Sequence, residues 1–293
     1  MERTLATILY LMGSYGVNRK TREAIVAGIF YPDDLKMLRI RIAEALKKVA
    51  GRPATELSGR PLAILTPHAA FEYTCDVQAA AWASVAGYRI DTVVILAPLR
   101  QPEGFGAYLP ESAAFQTPLG DVQVDSGACA DLESCSTLFS SNDGPHFESH
   151  AIEVQLPFMR TLFPDALLVP VLVCGDAAVA SSLAHAIDIV FGDDLDRTLI
   201  VTSSNLASSL VAGDASRRSD ELLQLMQRSS WRDLAARRDF TGSTAIASAM
   251  AMNAMTGARF ELFDRIDSRN HAGTTSDRIV NYAAAAWYRG TKS

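Results

Sequence analysis

Four apolar runs constrain this chain more than anything else in it: PLAILT (61–66), DTVVILAP (91–98), ALLVPVLV (166–173) and RTLIVTSS (197–204), each bounded by polar residues or by Gly and Pro. They alternate with helical windows, and that alternation favours parallel strands covered by helices on both faces. The stretch Asp76 to Val85 is helix-like and Ala-rich between the first two runs, and Ala177 to Val190 does the same between the last two. Both read as strand–helix–strand crossovers. Upstream, Tyr31-Pro32-Asp33-Asp34 opens a helix whose Leu35, Leu38, Ile42, Leu46 and Val49 share one stripe, with the acids at its positive end. Residues 51–60, with Gly51, Pro53, Ser58 and Gly59, link it to the first strand.

After residue 205 the pattern changes. A helix is expected over about 214–228, another after Trp231, and an Ala/Met-rich one from Thr244 to Met255. FELFDRID (260–267) and RIVNYAAAAWY (278–288) read as two antiparallel strands added to the sheet. No linker is long or biased enough to split the chain, and no internal repeat is visible. The expectation is one α/β domain over 21–293, a three-layer sandwich with a mixed, largely parallel sheet, preceded by an extension over 1–20. That extension, MERTLATILYLMGSYG onward, has Glu2 in its charged region, a short apolar run and no A-x-A site, so it reads as a segment packing on the domain rather than a secretory signal.

Charge removes two classes of partner. The 27 Lys and Arg against 33 Asp and Glu give a formal charge of −6 without a basic block, so no nucleic-acid footprint is expected. The longest apolar stretches fall short of a bilayer span, so no membrane is expected either. Four cysteines (Cys75, Cys129, Cys135, Cys174) in mostly apolar surroundings, without a C-x-x-C pair, suit reduced buried thiols and a cytoplasmic location.

In an open α/β sheet, ligands bind beyond the carboxyl ends of the strands. The segments there are Pro67-His68-Ala69-Ala70, Pro98-Leu99-Arg100-Gln101 and Ser203-Ser204-Asn205. A fourth cluster, His146 to Gln155, is expected to open a helix running into LPFM, with His150 and Glu153 on one helix face. Cys75, close to His68 in sequence, is weighed as a nucleophile against the ordinary reading of a small core hydrophobe. His185 is expected on a helix surface, and His271 in a loop beside the last strand, frayed to solvent or near a pocket mouth.

The segments REAIVAGIFYP (22–32), LTPHAAFEYT (65–74), TPLGDVQVD (117–125), HFESHAIEVQLPF (146–158) and VTSSNL (201–206) resemble the Memo family in order and spacing. The resemblance runs from residue 22 to the C-terminus. It implies a fold like that of the class III extradiol dioxygenases, a metal-type pocket, and partners such as an AMMECR1-type or a radical-SAM protein. At the positions where the family has metal-type ligands, this chain keeps His68 but has Arg100 near a His position, Thr241-Gly242-Ser243 at a Cys-containing turn, and Asn205 and Ser208 for an Asp and a His. Arg100 cannot bind a metal, because a guanidinium only donates. No metal and no cofactor are therefore expected.

What remains is a ligand pocket of His68, Arg100, His150, Glu153, Ser204, Asn205, Thr241 and Ser243, richer in donors than a metal site. It suits a small anion or a partner peptide, with Arg100 either clamping that anion or pairing with Glu153 or another acid of the site. The expected role is a non-catalytic binding or scaffold protein. The alternative is a metal-dependent redox enzyme of the extradiol dioxygenase-like type, using His68, His150 and Glu153 as a facial triad.

Overall fold

A computed structural model describes residues 20–50, 59–99, 105–271 and 277–289. The main sheet has nine strands: β2 (Pro61–Thr66), β3 (Thr92–Pro98), β4 (Gly106–Leu109), β7 (Phe139–Ser141), β8 (Leu167–Cys174), β9 (Thr198–Ser203), β10 (Ser208–Ser209), β11 (Arg259–Asp267) and β12 (Ile279–Tyr288). Their order is β10-β12-β2-β9-β3-β8-β4-β7, with β11 along the other edge of β12. The centre, β2-β9-β3-β8, is wholly parallel. Strand β12 is antiparallel to β2, and β4 to β8. A small second sheet joins β1 (Thr21–Arg22), β5 (Ala114–Phe115) and β6 (Val122–Gln123).

Every residue of β2 and β9 is buried, which requires cover on both faces. One group of helices comprises α1 (Leu35–Ala50), α2 (Phe71–Ala83) and α5 (Leu156–Leu162), which pack on one another. The other includes α6 (Ala177–Phe191), α8 (Trp231–Ala235) and α9 (Ser243–Ala251), joined by α3 (Ser126–Cys135) against α6 and by α7 (Ala212–Gln227) against α8. Both Trp82 of α2 and Trp287 of β12 are fully buried, and Ala283–Ala286 are inaccessible to solvent. The short helix α4 (Asp143–Glu148) starts at an Asn142 cap whose side chain accepts from the Gly144 amide.

The expected crossovers are present and interleaved. The β2–α2–β3 unit steps over β9, and the β8–α6–β9 unit steps over β3. The four central strands therefore end on one rim, at Pro67, Leu99, Gly175 and Ser204. Four expectations need correction. Helix α2 begins at Phe71 rather than Asp76, and α9 stops at Ala251, with a separate 3-10 turn at Asn253–Met255. Of the cysteines, Cys135 is exposed and Cys174 only partly buried, since α3 presents Cys135 to solvent at its last turn. The chain from His146 to LPFM is not one helix: Ser149 is extended (φ −112°, ψ 127°) and ends α4, and a 3-10 turn at Glu153–Gln155 precedes α5. Residues 1–19, most of the 51–60 linker and Arg100 lie outside the described residues.

Candidate functional site

The break at Ser149 separates two side chains expected on one face. His150 turns to the strand rim, its ring 5.6 Å from that of His68 in an edge-on arrangement and 4.6 Å from Phe30. Glu153 turns the opposite way, to the start of the chain. Its Oε2 meets the Arg22 guanidinium and accepts from the Ile25 amide at 3.0 Å; its Oε1 accepts from the Val26 amide at 3.0 Å and the Tyr31 hydroxyl at 2.6 Å. Both partners of the ion pair are fully buried. Arg22 spends its other donors on the carbonyls of His146 (3.0 Å), Glu23 (3.0 Å) and Ser149 (2.8 Å), and lies over the Phe115 ring. Burial, with the Glu153 carboxylate alongside, pushes the Tyr31 phenol far up. Glu153 therefore joins REAIVAGIFYP to HFESHAIEVQLPF as a structural clamp; its carboxylate is engaged there and is not a pocket acid.

At the rim, His68 is buried, and its Nδ1 lies 3.1 Å from the Ser203 carbonyl and 3.4 Å from Ser203 Oγ. Asn205 Oδ1 accepts from the His68 amide at 3.0 Å, so its side chain braces the turn after β2. The buried Ser204 sits between, with its amide on Thr66 O and its hydroxyl on Asn205 O. The 241–243 turn meets it there. A Cβ on Gly242 would fall 1.9 Å from Ser204 Oγ and 2.9 Å from Phe240, so only glycine allows this approach. Ser243 is buried beneath the turn, whereas Thr241 points to solvent. Next to them, Thr244 Oγ1 donates to Gly175 O at 2.8 Å and ties α9 to the end of β8. The fold thus gathers His68, His150, Ser204, Asn205 and the 241–243 turn, and sends Glu153 elsewhere.

The organising residue here is Gln155, which the sequence reading quoted but did not single out. Fully buried, it donates from Nε2 to Pro67 O (2.8 Å) and Ser203 Oγ (3.0 Å) and accepts at Oε1 from Thr66 Oγ1 and Trp82 Nε1 (both 3.2 Å). The available signal was a polar residue between the apolar letters of EVQLPF, a place where a side chain must find partners.

None of the other three histidines joins the site. His146 is buried in α4 with Nε2 on Tyr108 O, and burial lowers its pKa to about 4. His271 stands against the Tyr73 ring and Glu72, and His185 is exposed on α6. Cys75 is a core thiol on Arg41 O; burial pushes it up to about 12, so no thiolate is available for nucleophilic chemistry.

A metal-type pocket needs several anionic or imidazole donors turned to one point. The rim residues do not fit: Asn205 Oδ1 is taken by an amide, and the carboxylate of the supposed triad is bound to Arg22, so the two imidazoles have no anionic donor beside them among the described residues. Among the described residues no three His, Cys, Asp or Glu side chains come together to hold a metal. Among the same residues no helix is long and apolar enough to cross a membrane.

The chain matches the model of the Memo family, described as Memo-like protein, over residues 22–286. It is 28% identical over 284 residues to a MEMO1 family protein of Methanopyrus kandleri, covering 92% of this chain and 99% of that one. To a MEMO1 family protein of Methanobrevibacter smithii it is 31% identical over 192 residues, 63% of this chain and 68% of that one. The crystal structure of uncharacterized protein JW3007 from Escherichia coli K12 matches at TM-score 0.49 and 9% identity, over 76% of this chain and 98% of that one, too distant to inform function.

Proposed function

This chain belongs to the Memo family, and we propose that it works by binding rather than by catalysis, its strand-end rim taking a small anion or the anionic side chain of a partner peptide. The observation that carries this reading is the sign of the groups gathered there. His68, His150, Ser204 and Asn205 are neutral or cationic, and Glu153, the one acid expected among them, is neutralised by Arg22 on the other side of its segment. A rim with hydrogen-bond donors and, among these described residues, no unpaired carboxylate favours a negatively charged guest. Arg100 follows Leu99, the residue just after β3 at this rim, and adds a fixed positive charge to the sequence at that point. With Glu153 engaged by Arg22, that carboxylate is not available to pair with Arg100. On this reading a protein partner of the AMMECR1-type or radical-SAM class would meet the rim through an acidic segment.

The test is a thermal-shift titration with inorganic phosphate, acetate and citrate on the wild type and on Arg100→Ala. Binding to the folded state raises stability by about 2.7 kcal/mol at a hundredfold excess over Kd. The expected outcome is a raised unfolding temperature for the wild type with at least one anion, lost in Arg100→Ala, which itself folds normally. Absence of a shift with all three overturns the anion reading.

A further inference from the structure

We infer that Gln155 is a positioning residue that fixes His68 in a single tautomer, with the proton on Nδ1 and the lone pair on Nε2. The argument needs only donors and acceptors. Trp82 Nε1 can only donate, so the amide atom 3.2 Å from it is the oxygen; Pro67 O can only accept, so the atom 2.8 Å from it is the nitrogen. The second proton of that nitrogen goes to Ser203 Oγ at 3.0 Å, whose own proton goes to Ala151 O at 2.6 Å. With Thr66 Oγ1 on the oxygen, every hydrogen-bonding place on the amide is used, and turning it breaks four contacts.

Two of those contacts bracket the imidazole. One holds the carbonyl of Pro67, the residue from which His68 is hung; the other holds the side chain of Ser203, whose carbonyl meets the ring. A carbonyl accepts only, so the 3.1 Å contact from Ser203 O requires the proton on Nδ1. Ser203 Oγ, 3.4 Å from the same nitrogen, has already given its proton to Ala151 and faces the ring as a second acceptor. Holding a histidine from behind in this way fixes which nitrogen it offers in front. The inference stands apart from the anion-binding reading, because the tautomer is measured without any ligand.

The experiment is nitrogen-15 NMR of the histidine rings in the full chain, above the pH at which imidazoles are protonated, with His68 assigned by its loss in His68→Asn. The wild type is expected to show a protonated Nδ1 and an unprotonated Nε2. In Gln155→Met, which removes all four contacts at similar size, His68 should become a mixture of tautomers, with Nδ1 and Nε2 both partly protonated. Should Gln155→Met not fold, Ser203→Ala cuts the Gln155 link while keeping the carbonyl, and a smaller shift in the same direction is expected. A wild-type proton on Nε2 overturns the inference, as does an unchanged tautomer in the folded variant. A protonated Nδ1 in a wild type that binds no phosphate upholds the inference and counts against the anion reading.

Discussion

Segment 146–155 faces two environments, and they handle polarity in opposite ways. Toward the start of the chain, Glu153 and Arg22 bring full charges into a place without solvent, and each is surrounded by hydrogen-bond partners. Toward the rim, Gln155 does a comparable job with a neutral amide, joining two strand ends and the turn that carries His68. The charged side is the more vulnerable, because removing one partner strands a buried ion, whereas the neutral side loses only hydrogen bonds. A buried cluster whose charges are already paired holds the fold rather than a guest, so binding chemistry is sought at the neutral side.

The largest test of this contrast is Arg22→Met, which leaves the Glu153 carboxylate buried without its cation. Urea unfolding should show a loss of about 3–5 kcal/mol. A loss under about 1 kcal/mol would mean that the cluster is not the charged anchor described, since that is the range of an exposed pair.

Next in size is a pH effect from His146, beside the same cluster. The unfolded chain takes up a proton on this residue near its ordinary value of 6.5, the folded chain only near about 4, so the unfolded state binds more protons between those values. Stability should fall as pH drops through that window, by up to about 3 kcal/mol, and level off below it. Urea midpoints at successive pH values check this, and the slope should flatten in a folded His146→Gln variant.

At the rim, Gly242→Ala sharpens the comparison. Its methyl has no space against Ser204, so about 1–3 kcal/mol should be lost in thermal unfolding as the turn backs away. Thr241→Ala, one residue earlier and exposed, should stay within about 0.5 kcal/mol of the wild type. Equal effects at the two positions would contradict the packing of the turn on Ser204.

The strands of the main sheet were the most legible part of the sequence, because each central one carries an uninterrupted apolar middle and is followed by turn residues. The expected runs at 61–66 and 91–98 match β2 and β3 closely, and 260–267 and 278–288 match β11 and β12. The strands β1, β5 and β6, two residues each, are too short for any periodicity. The site was less legible. His68 and Asn205 could be placed from the strand ends, but the fate of Glu153 depends on Arg22, whose distance along the chain no local pattern records. Spacing by three suggested a shared helix face for His150 and Glu153; an extended Ser149 and a 3-10 turn cancelled it. Gln155 was hidden among apolar neighbours because its value lies in four partners drawn from separate elements.

The separation of 131 residues between Arg22 and Glu153 also sets a clock on synthesis. At ribosomal rates of 5–20 residues per second, Arg22 emerges roughly 7–26 s before its carboxylate is made. For that interval the opening segment has neither its counter-ion nor the carbonyls of His146 and Ser149, and it must stay solvated while the first crossover forms behind it. The segment around Arg22 is therefore fastened by this pair only once residue 153 has been made, and a nascent chain halted before that point would hold β1 by its pairing with β5 alone.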